Sequence, residues 1–530
     1  MTLKPSTAIL VVILLALVVG SVGFLGSRVP VEAGEIARAG ATAQETGQAS
    51  VDRLNAVLDA LIQNAASGQV RDAAVEGGIA GMLRTLDPHS RFFPPDEFRE
   101  LREQQSGTYS GLGITVSNRF GRITIVAPPF PGAPAEKAGL RVGDVISHVN
   151  GDPIEGLEMT DVVSLLKGPR GTPVDIRVVR PGIPEPLDIR IVRDEISSFT
   201  ISNAFLIEDD IAYVKIDNFS GTTSDELRDA LDRLGPDRIS GLILDLRGNP
   251  GGLMQEAIEV SEIFLEDGQR ILETRGRYPG TEHSYRADGR TTHEYPLVVV
   301  INRQSASASE IVSGAIQDHD RGLVIGETSF GKGLVQSVFA LDEGAGLALT
   351  TQKWYTPSGR LIQRDYSEIS EFDYYNGDVV IEPSADDIYY SDLGRVVYGG
   401  GGITPDEIVR APELNDVESR LTGNFAFFTF AAQYSAGGLD APEDLVISDT
   451  ILGEFLAHTT DRGIDLTASE LERNRDFVAA RLRYEIVYNR FGVSEAARVL
   501  IDDDPQIQRA IDLMPESGAL ARRARQTDVN

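Results

Sequence analysis

Hydrophobic positions recur with two different periods along the 530-residue chain. Short β-branched runs such as Leu297 to Ile301 are typical of strands that are buried on both faces. Residues 224–234 instead place apolar side chains at every third or fourth position, which predicts an amphipathic helix. From Ser198 onward the two patterns alternate, and this alternation predicts a sheet with helices packed against it.

The N-terminal segment is apolar or small from residue 7 to residue 26, with Lys4 before it and Arg28 after it. About twenty such residues can span a bilayer as a helix, and residues 20–23 offer only a poor cleavage site for a signal peptide. We therefore expect residues 1–28 to tether the chain to the inner membrane, with the acidic bulk in the periplasm or another extracytoplasmic space. Cleavage of this helix would instead release the chain.

Three further segments differ in composition and periodicity. Residues 29–50 are rich in Ala, Gly, Gln and Glu, which predicts a flexible tether. Residues 51–105 carry two helical repeats of apolar positions in a unit too small to bury much by itself, so we expect it to pack on a second copy of the chain as a homodimer. Residues 411–530 are helical in pattern and contain no recognisable motif, which predicts a helical C-terminal extension.

Composition narrows the classes of function. The formal net charge is −31, so the bulk of the chain should repel nucleic acid and anionic lipid surfaces. The chain contains no cysteine, which excludes disulfides, cysteine chemistry and a cysteine-ligated zinc site.

Three serines, Ser305, Ser307 and Ser309, lie where the strand at 297–301 gives way to a predicted helix. A serine at a helix N-terminus lies beside unpaired N–H groups and the positive end of the helix dipole, an environment that suits an oxyanion. The same residues also fit a capping box, in which Ser307 pairs with Glu310. Taken alone, this stretch favours the cap over a nucleophile.

Residues 326–333 nearly match the phosphate-binding loop G-x-x-x-x-G-K-[ST]. Gly333 replaces the hydroxyl residue that would hold magnesium, and residues 334–341 predict a strand where that loop must open a helix. The pattern therefore does not support nucleotide binding, and Lys332 needs another explanation.

Lys332 is a candidate general base for Ser307. His319 lies 12 positions after Ser307 on one predicted helix, which separates them by about 18 Å and excludes a local Ser-His pair. A histidine that is distant in sequence remains an alternative base. A lysine can act as the base if burial lowers its pKa toward neutrality. Gln336 faces the same side of the predicted strand and could hold the amine by a hydrogen bond. A surface lysine is the alternative.

Residues 106–195 have short strands and turns in an order that resembles a PDZ domain of the bacterial, circularly permuted type. The resemblance rests on the GLGI turn at 111–114, followed by PAEKAGL at 134–140 and GDVI at 143–146. It implies that the backbone N–H groups of Leu112, Gly113 and Ile114 bind a chain-terminal carboxylate, while the peptide adds as a β-strand.

Residues 298–362 closely resemble the C-terminal processing peptidases, which are serine proteases with a Ser-Lys dyad. The matching motifs in this range are SASASEI at 305–311, QD at 317–318, FGKGLVQ at 330–336 and YTPSG at 355–359. Outside this range, DLRGNPGG at 245–252, LDPHS at 86–90 and GGGGITPD at 399–406 also match segments of the family. In that family the middle serine is the nucleophile, the lysine is the base and the glutamine four residues on orients the lysine. The resemblance gives these roles to Ser307, Lys332 and Gln336.

The resemblance also assigns an oxyanion hole, with one N–H donor at Gly251 or Gly252 and a second at Ala308. Asp318 matches an acidic position of the family for which we expect a structural role. The insertion-like stretch at 363–398 is longer and more aromatic than a minimal core needs.

The resemblance covers about residues 50 to 410 and implies a multidomain α+β protein. Its parts are a helical N-terminal unit at 51–105, a PDZ-like β module at 106–195, an α/β protease core of the ClpP/crotonase-like type at 196–410 and the helical extension at 411–530. We expect an exported serine endopeptidase that acts on protein and peptide substrates with free C-termini, without a metal or organic cofactor and without nucleic acid. The alternatives are a PDZ-containing binding or adaptor protein with an inactive protease core, and an esterase or acyl transferase built on the same core.

Overall fold

The computed structural model of the protein describes residues 33–65, 71–119, 121–208, 210–289, 293–367, 369–376, 387–434 and 441–528. Contacts divide the chain into two units, one that ends at Met82 and one that begins at Leu83. The predicted membrane anchor, residues 1–28, lies outside the described residues. Among the helices of the described part, none is both long enough and apolar enough to cross a bilayer.

The first unit is helical, as predicted. It consists of α1 (Ala33–Asn64) and most of α2 (Arg71–Arg84). Helix α1 begins inside the segment whose composition predicted a tether, because Ala, Gln and Glu are also good helix formers. Its apolar residues are exposed, namely Val51, Leu54, Val57, Leu61 and Ile62.

The second unit begins with a short strand and a helix, β1 (Arg91–Phe93) and α3 (Pro95–Ser106), and continues into a small β domain. The elements of this domain are β2 (Thr108–Gly111), β3 (Val116–Arg119), β4 (Arg122–Ile125), α4 (Pro134–Lys137), β5 (Val145–Val149), β6 (Asp152–Pro153), α5 (Met159–Leu166), β7 (Pro173–Val179), β8 (Leu187–Val192) and β9 (Asp194–Ser197). Its sheet has the order β3-β4-β5-β7-β8, with β6 paired to β5. Strands β2 and β9 pair antiparallel where the chain enters and leaves this domain.

The protease core alternates strands and helices, as the hydrophobic pattern predicted. Its elements are β10 (Ile201–Ile207), β11 (Ile211–Ile216), α6 (Thr223–Leu234), β12 (Gly241–Asp245), α7 (Met254–Glu262), β13 (Arg270–Gly276), β14 (His283–Arg286), β15 (Leu297–Ile301), α8 (Ala308–Asp318), β16 (Leu323–Gly326), β17 (Leu334–Ala340), β18 (Gly346–Tyr355), α9 (Glu371–Asn376), β19 (Ile388–Tyr390), β20 (Val396–Tyr398) and β21 (Glu407–Ile408). The central sheet has the order β10-β11-β12-β15-β16-β21 and is parallel except for the β10–β11 pair. Every residue of β12, β15 and β16 is buried, which explains their continuous apolar sequences.

A second sheet carries the lysine-containing segment. Strand β18 is its centre and pairs with β1, β13 and β17, and β14 extends it beyond β13. The predicted strand after residue 333 is therefore present as β17, which confirms that residues 326–333 do not open a helix.

The C-terminal extension is helical and has two parts. Helices α10 (Asp416–Gly423), α11 (Ala426–Gln433), α12 (Asp449–Asp461), α13 (Ala468–Arg473) and α14 (Arg475–Phe491) enclose a hydrophobic core of their own. Helix α15 (Val493–Leu500) packs on both α14 and β10, and helices α16 (Pro505–Asp512) and α17 (Met514–Asp528) lie against the central sheet. The Ser517 hydroxyl on α17 donates a hydrogen bond of 2.6 Å to the Leu297 carbonyl of β15. The last helices are therefore a layer of the protease core, which the sequence did not predict.

Candidate active site

Ser307 lies on a tight turn between β15 and α8, where it is the N-cap residue of the helix. Its backbone angles are φ 53° and ψ −109°, a conformation that non-glycine residues rarely adopt and that costs on the order of 1–3 kcal/mol. Hydrolases use a strained strand-to-helix turn of this kind to expose a nucleophilic serine. The local backbone therefore presents Ser307 to the surface instead of burying it.

The flanking serines have other roles. Ser305 and Ser309 are fully buried, whereas Ser307 is half-buried. The Ser305 hydroxyl donates to the Leu246 carbonyl at 2.8 Å, and the Ser309 hydroxyl donates to the Asn249 carbonyl at 3.0 Å. Of the three candidates, only Ser307 has a hydroxyl that a substrate can reach.

The Glu310 side chain caps the helix as the predicted capping box requires, while the Glu310 N–H donates to the backbone carbonyl of Ser307 at 2.9 Å. The Ser307 N–H donates to Oε2 of Glu310 at 2.7 Å, and the Lys332 N–H donates to the same oxygen at 2.9 Å. The other oxygen, Oε1, accepts the Gly331 N–H at 2.6 Å and the Ser329 hydroxyl. One buried carboxylate thus joins the serine turn to the lysine segment, a role that its position in a capping box did not reveal.

The charge of Glu310 follows from these contacts. Burial raises the pKa of its carboxyl, while the four donors oppose that rise because each stabilises the ionised form. The Ser329 hydroxyl oxygen accepts the Ile403 N–H at 2.6 Å, so its own proton points to Glu310. Every neighbour of the carboxylate is therefore a donor, as an anionic acceptor requires.

Lys332 is half-buried and lies two positions before the first residue of β17. Its amine donates to Oε1 of Gln336 at 3.1 Å, so the structure contains the predicted pairing, although the lysine is not on the strand. Burial lowers the pKa of Lys332 because it removes water from the ammonium group, and the charges of Glu310 and Asp87 oppose this shift. The structure therefore brings the predicted base and orienting residue into contact, and Glu310 links the backbones of Ser307 and Lys332. Among the described contacts there is no hydrogen bond between the Ser307 hydroxyl and the Lys332 amine.

The glycine-rich loop after β12 packs directly against the serine turn. A Cβ atom added to Gly251 would lie 2.8 Å from Ser307 Cβ and 2.9 Å from Ala308 N. The Gly251 N–H donates to Oδ1 of Asn249 at 2.9 Å, so this group is already engaged. In the part of the chain that the structure describes, the N–H groups of Gly252 and Ala308 have no hydrogen-bond partner. Of the two glycines predicted as oxyanion donors, only Gly252 therefore has an N–H without a partner among the described residues.

The turn of the PDZ domain that we predicted to bind a carboxylate has a similar arrangement of free donors. The carbonyls of Leu112 and Gly113 accept hydrogen bonds from Ala135 and Phe130, both at 3.0 Å. The N–H groups of Leu112, Gly113 and Ile114 have no partner among the described residues. Strand β3 follows this turn and forms one edge of the sheet, so it has a free side for a peptide strand.

Two other polar residues of the sequence lie in structural contacts. Asp318 is buried, and it accepts Nη2 of Arg360 at 2.6 Å and the Ser358 N–H at 2.9 Å. His319 hydrogen-bonds through Nδ1 to Asp392 and through Nε2 to the Arg270 carbonyl, both at 2.6 Å. These contacts agree with a structural role for Asp318. Among the described contacts, both ring nitrogens of His319 are engaged with Asp392 and Arg270, and neither is hydrogen-bonded to Lys332.

His89 is the residue near the site that sequence reasoning missed. Its carbonyl accepts the side-chain N–H of Gln336, which in turn holds Lys332. Burial, and next to it the charge of Lys332, lowers the pKa of His89 to about 4, so this imidazole is neutral near pH 7. The matching motif at 86–90 was a signal for this segment, although it gave no role to the histidine.

Comparisons with known proteins agree with this geometry. A model of the family described as Peptidase family S41 matches residues 210–369, and a PDZ domain model matches residues 125–180. Fold and matches together define a serine peptidase with a PDZ domain.

Sequence relatives identify the family to which the chain belongs. The carboxy-terminal-processing protease of Bartonella bacilliformis is 42% identical over 294 residues, which cover 54% of this chain and 67% of that protein. The carboxy-terminal processing protease CtpA of Bacillus subtilis is 35% identical over 326 residues, which cover 61% of this chain and 69% of that protein. The solved structure of the photosystem II D1 C-terminal processing protease is 29% identical, covers 66% of this chain and 85% of that one, and has a TM-score of 0.34. The chain belongs to the carboxy-terminal processing proteases of peptidase family S41.

Proposed function

We propose that the protein is an endopeptidase that cleaves near the free C-termini of protein substrates, with Ser307 as nucleophile and Lys332 as general base. The observation that carries this proposal is the carboxylate of Glu310, one oxygen of which accepts the N–H groups of both residues at 2.7 and 2.9 Å. This shared acceptor holds the serine turn beside the lysine segment.

The proposed reaction follows from the site. Deprotonated Lys332 takes the proton of the Ser307 hydroxyl, and the serine oxygen attacks the scissile carbonyl. The N–H groups of Gly252 and Ala308 stabilise the oxyanion of the tetrahedral intermediate. The protonated lysine then gives its proton to the leaving amine, and water hydrolyses the acyl-enzyme. Because burial lowers the pKa of Lys332, part of this amine is deprotonated closer to neutral pH than a free lysine would be.

The PDZ domain would supply the preference for C-termini. We propose that the free N–H groups at Leu112, Gly113 and Ile114 bind the terminal carboxylate and that the peptide pairs with the open edge of β3. The partly buried side chains of Ile114 and Met159 lie at the border of the PDZ core, where they can contact the last side chain of the peptide.

Cellular placement and assembly belong to the same proposal. The apolar N-terminal segment supports export and a tether to the inner membrane through one helix. The exposed apolar residues of α1, from Val51 to Ile62, support a homodimer, because such a face is buried when two copies associate.

A cleavage assay with matched variants tests the proposed chemistry. Purified Ser307→Ala and Lys332→Ala proteins should bind an unstructured protein substrate but not cut it, while the wild-type protein cuts it. A peptide with a free C-terminus should be cleaved much faster than the same peptide with an amidated C-terminus. Cleavage retained in either variant would refute the dyad, equal rates on the two peptides would refute carboxylate capture, and binding by the wild type without any cleavage would favour the adaptor alternative.

A further inference from the structure

The ring of His89 is enclosed by two tyrosines of the segment between β18 and β19. Helix α9 carries both residues, and Tyr374 is almost fully buried. The Tyr374 hydroxyl lies 3.0 Å from Nε2 of His89, and the Tyr375 hydroxyl lies 3.1 Å from Nδ1. We call His89, Tyr374 and Tyr375 the imidazole clamp. It joins two parts of the chain that are separated by 285 positions in sequence.

The partners of the two hydroxyls fix the protons of the clamp. The Tyr375 hydroxyl donates to the Pro88 carbonyl at 2.9 Å, so its oxygen must accept from Nδ1–H of His89. The unprotonated Nε2 then accepts the proton of the Tyr374 hydroxyl. Both hydroxyls and both ring nitrogens are satisfied only when the imidazole is neutral, which agrees with its strongly lowered pKa.

The clamp is connected to the amine of Lys332 through two hydrogen bonds. The backbone carbonyl of His89 accepts the side-chain N–H of Gln336, and the carbonyl oxygen of that amide accepts the Lys332 amine at 3.1 Å. An amide can present its oxygen to the lysine only when its nitrogen has an acceptor on the other side. The position of His89 therefore decides which way Gln336 faces.

The clamp is also linked, through Gln363 and Arg364, to both neighbours of Lys332 in the chain. The Tyr374 hydroxyl accepts the side-chain N–H of Gln363 at 3.1 Å, and Oε1 of Gln363 accepts the Gly333 N–H at 2.9 Å. On the other side, the Arg364 N–H donates to the Gly331 carbonyl at 2.9 Å. The Arg364 guanidinium lies over the Tyr374 ring, 4.6 Å from its centroid. Movement of Tyr374 would thus disturb the segment that carries the lysine.

We propose that His89, Tyr374 and Tyr375 are positioning residues of the protease, which orient Gln336 and keep water away from the amine of Lys332. This inference rests on the proposed role of Lys332 as the general base. It gives a purpose to the long aromatic stretch after β18, which the resemblance to the family did not explain.

The charges around Lys332 determine the expected pH dependence. Glu310 and Asp87 favour its charged form, while burial favours the neutral form and prevails. Two further titratable side chains belong to the clamp or contact it: His89, which is neutral, and Arg364, which is a cation. Opening the clamp admits water, which stabilises the ammonium form and raises the pKa of Lys332. The limb on which activity increases with pH should then move to higher pH.

The test is the pH dependence of kcat/KM for a peptide with a free C-terminus, measured on the full chain. Tyr374→Phe keeps the ring and removes the hydroxyl that donates to His89. We expect its limb to move upward by about one pH unit and its kcat/KM at pH 7 to fall about tenfold. At pH values above the shifted limb, kcat/KM should return toward that of the wild type. A general loss of structure would not produce this recovery.

Two further variants make the result decisive. Tyr375→Phe changes a more exposed side chain and should move the limb in the same direction, so it decides the matter if Tyr374→Phe does not fold. Tyr366→Phe is the matched control, since this ring packs 6.0 Å from the Tyr374 ring but its hydroxyl makes no hydrogen bond to His89 among the described contacts. The rising limb of its kcat/KM against pH should coincide with that of the wild type.

An unshifted limb in folded Tyr374→Phe and Tyr375→Phe proteins, or a loss of rate by the same factor at every pH, would overturn the inference. Retained cleavage by Lys332→Ala would instead refute the proposed base. The two failures are therefore distinguishable.

Discussion

Gly251 lies so close to Ser307, the proposed nucleophile, that there is no room for a side chain. A Cβ atom at this position would lie 2.7 Å from the Ala306 carbonyl oxygen and 2.8 Å from Ser307 Cβ, and it would point at the N–H of Ala308. The residue also has a φ of +99°, which disfavours any side chain. The glycine loop and the serine turn can therefore approach each other only through this residue.

Replacement of Gly251 by alanine should displace the oxyanion donors relative to Ser307. We expect Gly251→Ala to lower kcat by about 10²–10³, the cost that is typical for loss of one such donor. Gly248→Ala is the matched control, because Gly248 also has a positive φ, of +74°, but its nearest neighbouring atom would be 3.8 Å away. Steady-state kinetics should show kcat within a few-fold of wild type for the control. Equal losses in both variants would mean that backbone strain, not contact with Ser307, explains the effect.

At the scale of secondary-structure elements, a buried ion pair fixes the C-terminal end of α8. Asp318 accepts Nη2 of Arg360 at 2.6 Å, and both side chains are buried. Arg360 also donates to Oε1 of Gln317 at 2.7 Å and to the Tyr398 carbonyl at 2.9 Å. This pair ties the helix that begins at the nucleophile to the segments that follow β18.

Removal of the carboxylate from this pair should destabilise the fold without changing the chemistry. Asp318→Asn leaves the Arg360 cation buried without its counter-charge, which typically costs about 3–5 kcal/mol. Denaturation with urea should show this loss, while kcat per folded molecule at low temperature stays within a few-fold of wild type. Asp188→Asn removes the partner of the solvent-exposed Arg177 and should leave the unfolding midpoint unchanged. A loss of kcat in fully folded Asp318→Asn would instead place this residue in the reaction.

The same elements show what local sequence can predict. The apolar run of β15, the capping box of Ser307 and Glu310, and the strand after Gly333 depend on neighbours within a few residues, so periodicity and spacing predicted them. The hydrogen bonds that Glu310 accepts from Ser329, Gly331 and Lys332 join segments about 20 positions apart. The contact of His89 with Tyr374 spans 285 positions. No periodicity records such contacts, because they exist only after the sheets have assembled.

The choice between Gly251 and Gly252 illustrates the same limit at the site itself. Both glycines fit an oxyanion loop in sequence, and only the side chain of Asn249, which accepts the Gly251 N–H, distinguishes them. Which amide of a loop remains free depends on the conformation of the whole loop. The resemblance to the family implied that this loop supplies an oxyanion donor, but not which of its N–H groups remains free.

At the scale of the whole molecule, the two ends of the protease unit complete its core. Strand β1, which precedes the PDZ domain, pairs with β18, and helices α16 and α17 cover the face of the central sheet opposite α8. The apolar residues of this layer include Ile507, Leu513 and Leu520, which pack with Val298 and Val300 of β15. Strand β15 leads directly into the turn of Ser307. The C-terminal helices therefore pack on the strand that positions the proposed nucleophile.

A charge placed in this layer should therefore disrupt the protease core and not only the end of the chain. Leu520 is 2% exposed in α17, and Leu520→Asp would bury an unpaired carboxylate against the sheet, at a cost of several kcal/mol. We expect a lower melting temperature or insoluble protein, together with loss of Ser307-dependent cleavage. Arg523→Asp is the control on the solvent-exposed side of the same helix and should melt and cleave as the wild type does. If Leu520→Asp stayed folded and active, the helix would be dispensable to the core, and its packing on β15 could not be what holds the serine turn in place.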